Sequence, residues 1–90
     1  MDSSLFPLDQ VVATSGALDQ LTHEEISMLL SRHAAGDWGD LDQEDKDLND
    51  HALESGNGRL FSAYKTSKDR VWVITENDRS CTTLLLPDEY

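Results

Sequence analysis

The sequence predicts an α+β domain: a short N-terminal strand, two or three helices, then a three-stranded antiparallel meander, giving β-α-α-α-β-β-β with one sheet and helices on one face. Three observations carry this. Residues 22–55 hold apolar positions at helical spacing behind recognisable caps, and residues 60–86 switch to a period of two in β-branched and aromatic residues. The chain is 90 residues long, and a chain of this size buries roughly 60–65% of its extended surface, enough for one modest core. Residues 1–90 are therefore expected to form one domain, with 1–7 loose.

Val11-Val12-Ala13-Thr14 is a β-branched run ended by Ser15-Gly16, which reads as strand then turn. Ser15 is placed to cap a short helix through Ala17, Leu18 and Leu21. Thr22 with Glu25 is a capping box, and Leu21 and Ile26 stand where a hydrophobic staple forms. Ile26, Leu29, Leu30 and His33 continue as one stripe, and Gly36 is placed to end the helix in a left-handed conformation. His33 is expected to be half-buried near that end, where the helix dipole favours its cation.

Asp37-Trp38-Gly39-Asp40 reads as a loop, and Asp40 with Gln43 repeats the capping pattern for a helix over 41–55, stopped by Gly56-Asn57-Gly58. Leu41, Leu48, Ala52 and Leu53 are expected to face inward. That apolar face is thin and the rest is acidic, so tertiary packing has to hold the helix. Leu60–Tyr64, Val71–Thr75 and Thr82–Leu86 read as strands, with turns at Ser67-Lys68-Asp69 and Glu76-Asn77-Asp78. The last strand is apolar on both sides, which suggests either a central place in the sheet, with the first strand beside it, or a homodimer contact.

The formal net charge is −11, and its distribution is uneven. Residues 1–58 hold 13 acids against Arg32 and Lys46, whereas residues 59–90 hold five acids and five bases. Such a surface repels phosphate and anionic lipid, so no direct nucleic-acid and no membrane partner is expected; basic protein surfaces suit it. The single Cys81 cannot form an intramolecular disulfide, and neither an N-terminal signal-like run nor a membrane-length apolar stretch occurs. Together these predict a cytoplasmic protein.

No catalytic, metal or cofactor motif is complete. Asp40, Asp42 and Glu44 occupy the first, third and fifth positions of a calcium loop, but Asp45 stands where its glycine belongs and His51 where its bidentate glutamate belongs. His23, His33 and His51 with a single cysteine and no HExxH arrangement fall short of a zinc set, and Cys81 among strand residues reads as an inert small hydrophobe. G-x-G-x-x-G, P-loop and G-x-S-x-G patterns are absent from the sequence. Cofactors and metals are therefore expected to be none. Trp38 is either a recognition anchor, since tryptophan concentrates at binding hot spots, or a residue buried against the helices.

Gln10–Thr14 with Gly16-Ala17-Leu18, then Gly36-Asp37-Trp38-Gly39-Asp40-Leu41, and Trp72–Glu76 through Asp78-Arg79-Ser80 to Thr82-Thr83 and Leu85-Leu86-Pro87 form a distinctive set. Through it the chain resembles, over nearly its whole length, a family of short "plasmid-related" proteins carried by bacterial plasmids and integrative elements; Ser15 replaces the proline expected there. The resemblance implies a mobile-element protein and brings no catalytic residue. Combined with the charge map, it leads to the expectation of a non-enzymatic, acidic protein-interaction module. Asp37, Trp38, Asp40, Asp42, Glu44, Asp45, Asp47 and Asp50 would dock on a basic surface of a host or phage protein. The sharper version is an anti-restriction or anti-CRISPR protein whose carboxylates imitate DNA phosphates. The alternative is a small enzyme or toxin using Arg79, Tyr64 or His51, because the element order resembles that of messenger-RNA-cleaving toxins at the level of fold.

Overall fold

A computed structural model of the chain describes residues 5, 6, 8–66 and 68–90. Strand β1 (Gln10–Ala13) precedes three helices, α1 (Ser15–Gln20), α2 (His23–Ala34) and α3 (Gln43–Ser55). Strands β2 (Leu60–Lys65), β3 (Arg70–Thr75) and β4 (Cys81–Leu85) follow, and a 3-10 turn over Pro87–Glu89 closes the chain. The sheet order is β1-β4-β3-β2, with β2, β3 and β4 antiparallel and β1 parallel to β4. An internal position explains why β4 is apolar on both sides: Leu84 and Leu85 point to opposite faces and both are buried.

The pairing register sorts the side chains. Leu60, Ser62 and Tyr64 lie opposite Thr75, Val73 and Val71, which in turn lie beside Thr82 and Leu84, so these residues share one face. Helices α1 and α2 cover it: Ala17, Leu21 and Leu29 pack with Tyr64, Val71, Val73, Leu84 and Leu86. A second cluster of Phe6, Trp38, Ala52 and Leu60 joins α3 to the β2 end of that face. The opposite face carries Phe61, Trp72, Ile74 and Leu85.

Local chemistry sets the helix ends. The Thr22 hydroxyl accepts from Glu25 N at 3.1 Å and the Glu25 carboxylate accepts from Thr22 N at 2.9 Å, completing the capping box. Gly36, at φ 84°, closes α2: Gly36 N donates to His33 O and Asp37 N donates to Arg32 O, a Schellman arrangement. Two other caps differ from expectation. Thr14, not Ser15, caps α1 by accepting from Ala17 N, and Asp42, not Asp40, caps α3 by accepting from Asp45 N. Each lies one or two residues from the expected cap, where its own backbone is extended and its oxygen can reach the first free N–H groups.

Leu5 and Phe6 depart from the expected loose leader, because Leu5 N donates to Ala34 O at 2.7 Å and Phe6 is buried. Residues 1–4 and Pro7 lie outside the described residues, as does Ser67 of the expected 67–69 turn. The third helix is phased differently from its leucine pattern. Ala52 is buried and Leu41 and Leu53 are partly so, but Leu48 is 63% exposed. Its neighbour Asn49 faces inward instead, and its side-chain amide donates to Phe61 O at 2.6 Å and accepts from Phe61 N at 3.0 Å. Two residues along β2, Ala63 N donates to Trp38 O and Ala63 O accepts from Asp40 N. The free edge of β2 is thereby closed by one side chain and one loop.

Candidate functional site

The acidic stretch Asp37–Glu54 divides into two structural roles. Its first part is a plug. Asp37 accepts from Arg32 Nε at 2.7 Å and from Gly39 N at 3.2 Å, and the hydrogen bond from the guanidinium holds its carboxyl below the usual aspartate range. Trp38 is 4% exposed and its indole Nε1–H donates to Asp50 at 3.1 Å, so it is a core residue and not the surface anchor offered above. The ring stays inside because it can pack with Phe6, Ala52 and Leu60 while its single polar atom finds a carboxylate. Gly39, at φ 76°, lies so close to β2 that a Cβ there would sit 2.1 Å from Ala63 O. The Gly-Asp-Trp-Gly-Asp motif therefore seals the β2 edge.

The second part is a free surface. Asn49 and Ala52 anchor α3, and the helical repeat then turns Glu44, Asp47 and Glu54 outward on the opposite side, with Asp50 at the flank beside Asn49, all four exposed. Asp47 accepts from Gln43 and Asp50 from Trp38, while Asp42 is spent as the cap and Asp45 and Asp40 are exposed beside it. The ion pairs among the described residues are Arg32–Asp37 and Arg59–Glu76, so no carboxylate of α3 stands in one, and Lys46 is the one lysine or arginine on that helix. Leu48 stands within this row, four residues after Glu44 and three before His51. Of the eight residues expected to form a docking surface, Asp40, Asp42, Glu44, Asp45, Asp47 and Asp50 face solvent, Asp37 is paired and Trp38 is buried.

The three residues of the enzymatic alternative have separate duties. Tyr64 is buried beneath Arg32, whose guanidinium carbon is 4.6 Å from the ring centroid, and its hydroxyl donates to Asp37 O at 2.6 Å. Burial pushes its pKa up to about 12. Arg79 sits in the β3–β4 turn at φ 66° and donates to the carbonyls of Gly58, Glu76, Asn77 and Ala52. The bond to Ala52 satisfies a carbonyl in the last turn of α3 and places a cation at the negative end of its dipole. His51 is exposed on α3.

His33 also differs from expectation. It is fully buried, with Nδ1 2.5 Å from the Ser62 hydroxyl and Nε2 2.9 Å from that of Thr75, which reaches Thr82 at 2.7 Å. Phe6 and Trp38 stand edge-on to the ring at 5.4 and 5.6 Å. Two hydroxyl partners and no carboxylate stabilise the neutral imidazole, and desolvation lowers its pKa to about 4. A serine–histidine pair this enclosed is part of the core, with no opening to a substrate.

A further feature went unread in the sequence. On the uncovered face of the sheet Arg59, Phe61, Trp72, Ile74 and Tyr90 line a pocket of about 260 Å³. The signal was present in the strand alternation, which places Phe61, Trp72 and Ile74 together opposite Leu60, Val71 and Val73. Among the described residues no group of three or more histidine, cysteine, aspartate or glutamate side chains is arranged to hold a metal ion, and no helix is long and apolar enough to cross a membrane. Comparison of the chain with protein-family models, with curated proteins and with solved structures finds no match in any of the three.

Proposed function

We propose that this protein is a non-enzymatic interaction module of a mobile genetic element that docks the solvent face of α3 on a basic surface of a host or phage protein. One observation carries the reading: Glu44, Asp47 and Glu54, flanked by Asp50, form an exposed acidic row that stands in none of the ion pairs among the described residues, on a helix whose other side is fixed to β2. A row of carboxylates on a rigid rod presents negative charge at regular intervals, as a nucleic-acid backbone does. The exposed Leu48 gives it an apolar contact that charge alone would not supply. The resemblance to plasmid-borne proteins suggests the kind of partner, a restriction or CRISPR component whose basic groove ordinarily holds DNA.

Capture of partners from host lysate tests the proposal. Wild-type protein should retain a partner at low salt and release it at high salt, because exposed charges are screened within about 8 Å at physiological ionic strength and less at higher salt. The variant Glu44→Gln, Asp47→Asn, Glu54→Gln should lose that partner while unfolding at an unchanged temperature. Capture that survives both high salt and the triple variant would remove the electrostatic mechanism.

A further inference from the structure

The uncovered face of the sheet points away from electrostatic docking. Phe61 and Ile74 are cross-strand partners, and Trp72 stands two residues before Ile74 on the same face. Trp72 meets Phe61 at 5.0 Å and 88°, and Tyr90 at 5.7 Å and 68°. Ring surfaces therefore face the pocket from more than one direction, with Ile74 as an aliphatic wall. Aromatic walls at these angles favour a planar, apolar guest that can stack on one ring and meet the edge of another.

The charged side chain lining this pocket is a cation in an acidic chain. The net charge is −11, yet the one charged residue lining the pocket is Arg59. Its guanidinium donates one hydrogen bond to the Tyr90 hydroxyl at 3.3 Å and one to Glu76 at 3.4 Å. Both are long, and the Arg59–Glu76 pair is about half exposed on each side, so neither commits the guanidinium. Five N–H donors less these two leave three for a ligand, in the planar fork that matches a carboxylate. The volume, about 260 Å³, falls just under the ~300–1,000 Å³ usual for drug-sized ligands and limits the guest to one or two rings.

From this geometry we infer that the pocket binds a small aromatic carboxylate, its ring system against Trp72, Phe61 and Tyr90 and its carboxylate on Arg59. The inference is independent of the α3 face, since it uses neither that helix nor its charge.

The two tryptophans make the test residue-specific. In amide and indole NMR spectra Trp72 reports on the pocket and the buried Trp38 on the fold. Titration with 2-naphthoate should shift the Trp72 indole resonance to saturation and leave that of Trp38 in place, whereas neutral 2-naphthamide should bind about tenfold more weakly, lacking the charge-assisted hydrogen bonds. Arg59→Gln should bring the two compounds to equal affinity with Trp38 unmoved, and Glu76→Gln should tighten naphthoate by freeing the guanidinium. A Trp72 resonance indifferent to both compounds at millimolar concentration overturns the site. So does a preference for naphthoate that persists in Arg59→Gln, or a shift of equal size at both tryptophans. A pocket that serves instead to seat a protein side chain would give the first of these results.

Discussion

Asp37–Asp40 and Glu44–Glu54 are neighbouring acidic stretches with similar composition, and the fold uses them in opposite ways. In the first, all but the exposed Asp40 carboxylate find a structural partner close in space: Arg32 for Asp37, Ala63 for the backbone of Asp40, and Asp50 for the indole between them. In the second, the helix is held by the amide of Asn49, the guanidinium of Arg79 and, among its acids, Asp50 alone on the core, so the other carboxylates remain free of the core. Acid content alone does not mark a binding surface. What distinguishes the two is whether a base or an unsatisfied backbone group lies within reach.

The contrast breaks most severely at Trp38. Trp38→Ala opens a void among Phe6, Ala52 and Leu60 and should cost about 3–5 kcal/mol. Thermal unfolding followed by circular dichroism measures this, and a loss below about 1 kcal/mol would return Trp38 to the surface role. The next largest effect comes from acid. His33 is held neutral in the fold with a pKa of about 4, below the 6.5 of the unfolded chain, so the unfolded state takes up the proton first. Its contribution is complete above pH 6.5 and is lost as pH falls towards 4, by about 3 kcal/mol over the window. Chemical denaturation at a series of pH values should show that decline beginning above pH 5, before most carboxylates titrate, and His33→Gln should flatten it. The smallest effect falls on α3. Asp47→Asn with Glu54→Gln should change stability by no more than about 0.5 kcal/mol, in the stabilising direction, because it relieves like-charge repulsion along one helix face. A large loss in the same denaturation experiment would show those carboxylates to be structural, and the difference between the two stretches would vanish.

Signals that act within a few residues were legible in the sequence. The Thr22–Glu25 box, the stops at Gly36 and Gly56 and the alternation of β2 and β3 all lie where local rules put them, and β4 is internal as its two apolar sides suggested. Signals that depend on distant partners were not. Hydrophobic periodicity turned Leu48 inward, but the rotation of α3 is fixed by Asn49 on Phe61, a polar contact twelve residues along the chain that periodicity does not weigh. His33 read as a helix-end cation because Ser62 and Thr75, its actual partners, are 29 and 42 residues away. The acidic row on α3 was legible as composition, whereas its separation from the Asp37–Asp40 plug required the packing of Trp38.

Closure of the β2 edge limits how this protein can associate with itself. Fibrillar growth by strand addition needs two receptive rims on every copy, one to accept a neighbour and one to offer to the next. Here one rim is occupied by Asn49 and the Trp38–Asp40 loop, while among the described residues nothing pairs with the outer side of β1, where Val11 and Val12 are exposed. Strand-to-strand association can then join two molecules rim to rim and must stop there, which gives the chain a built-in terminator against polymerisation.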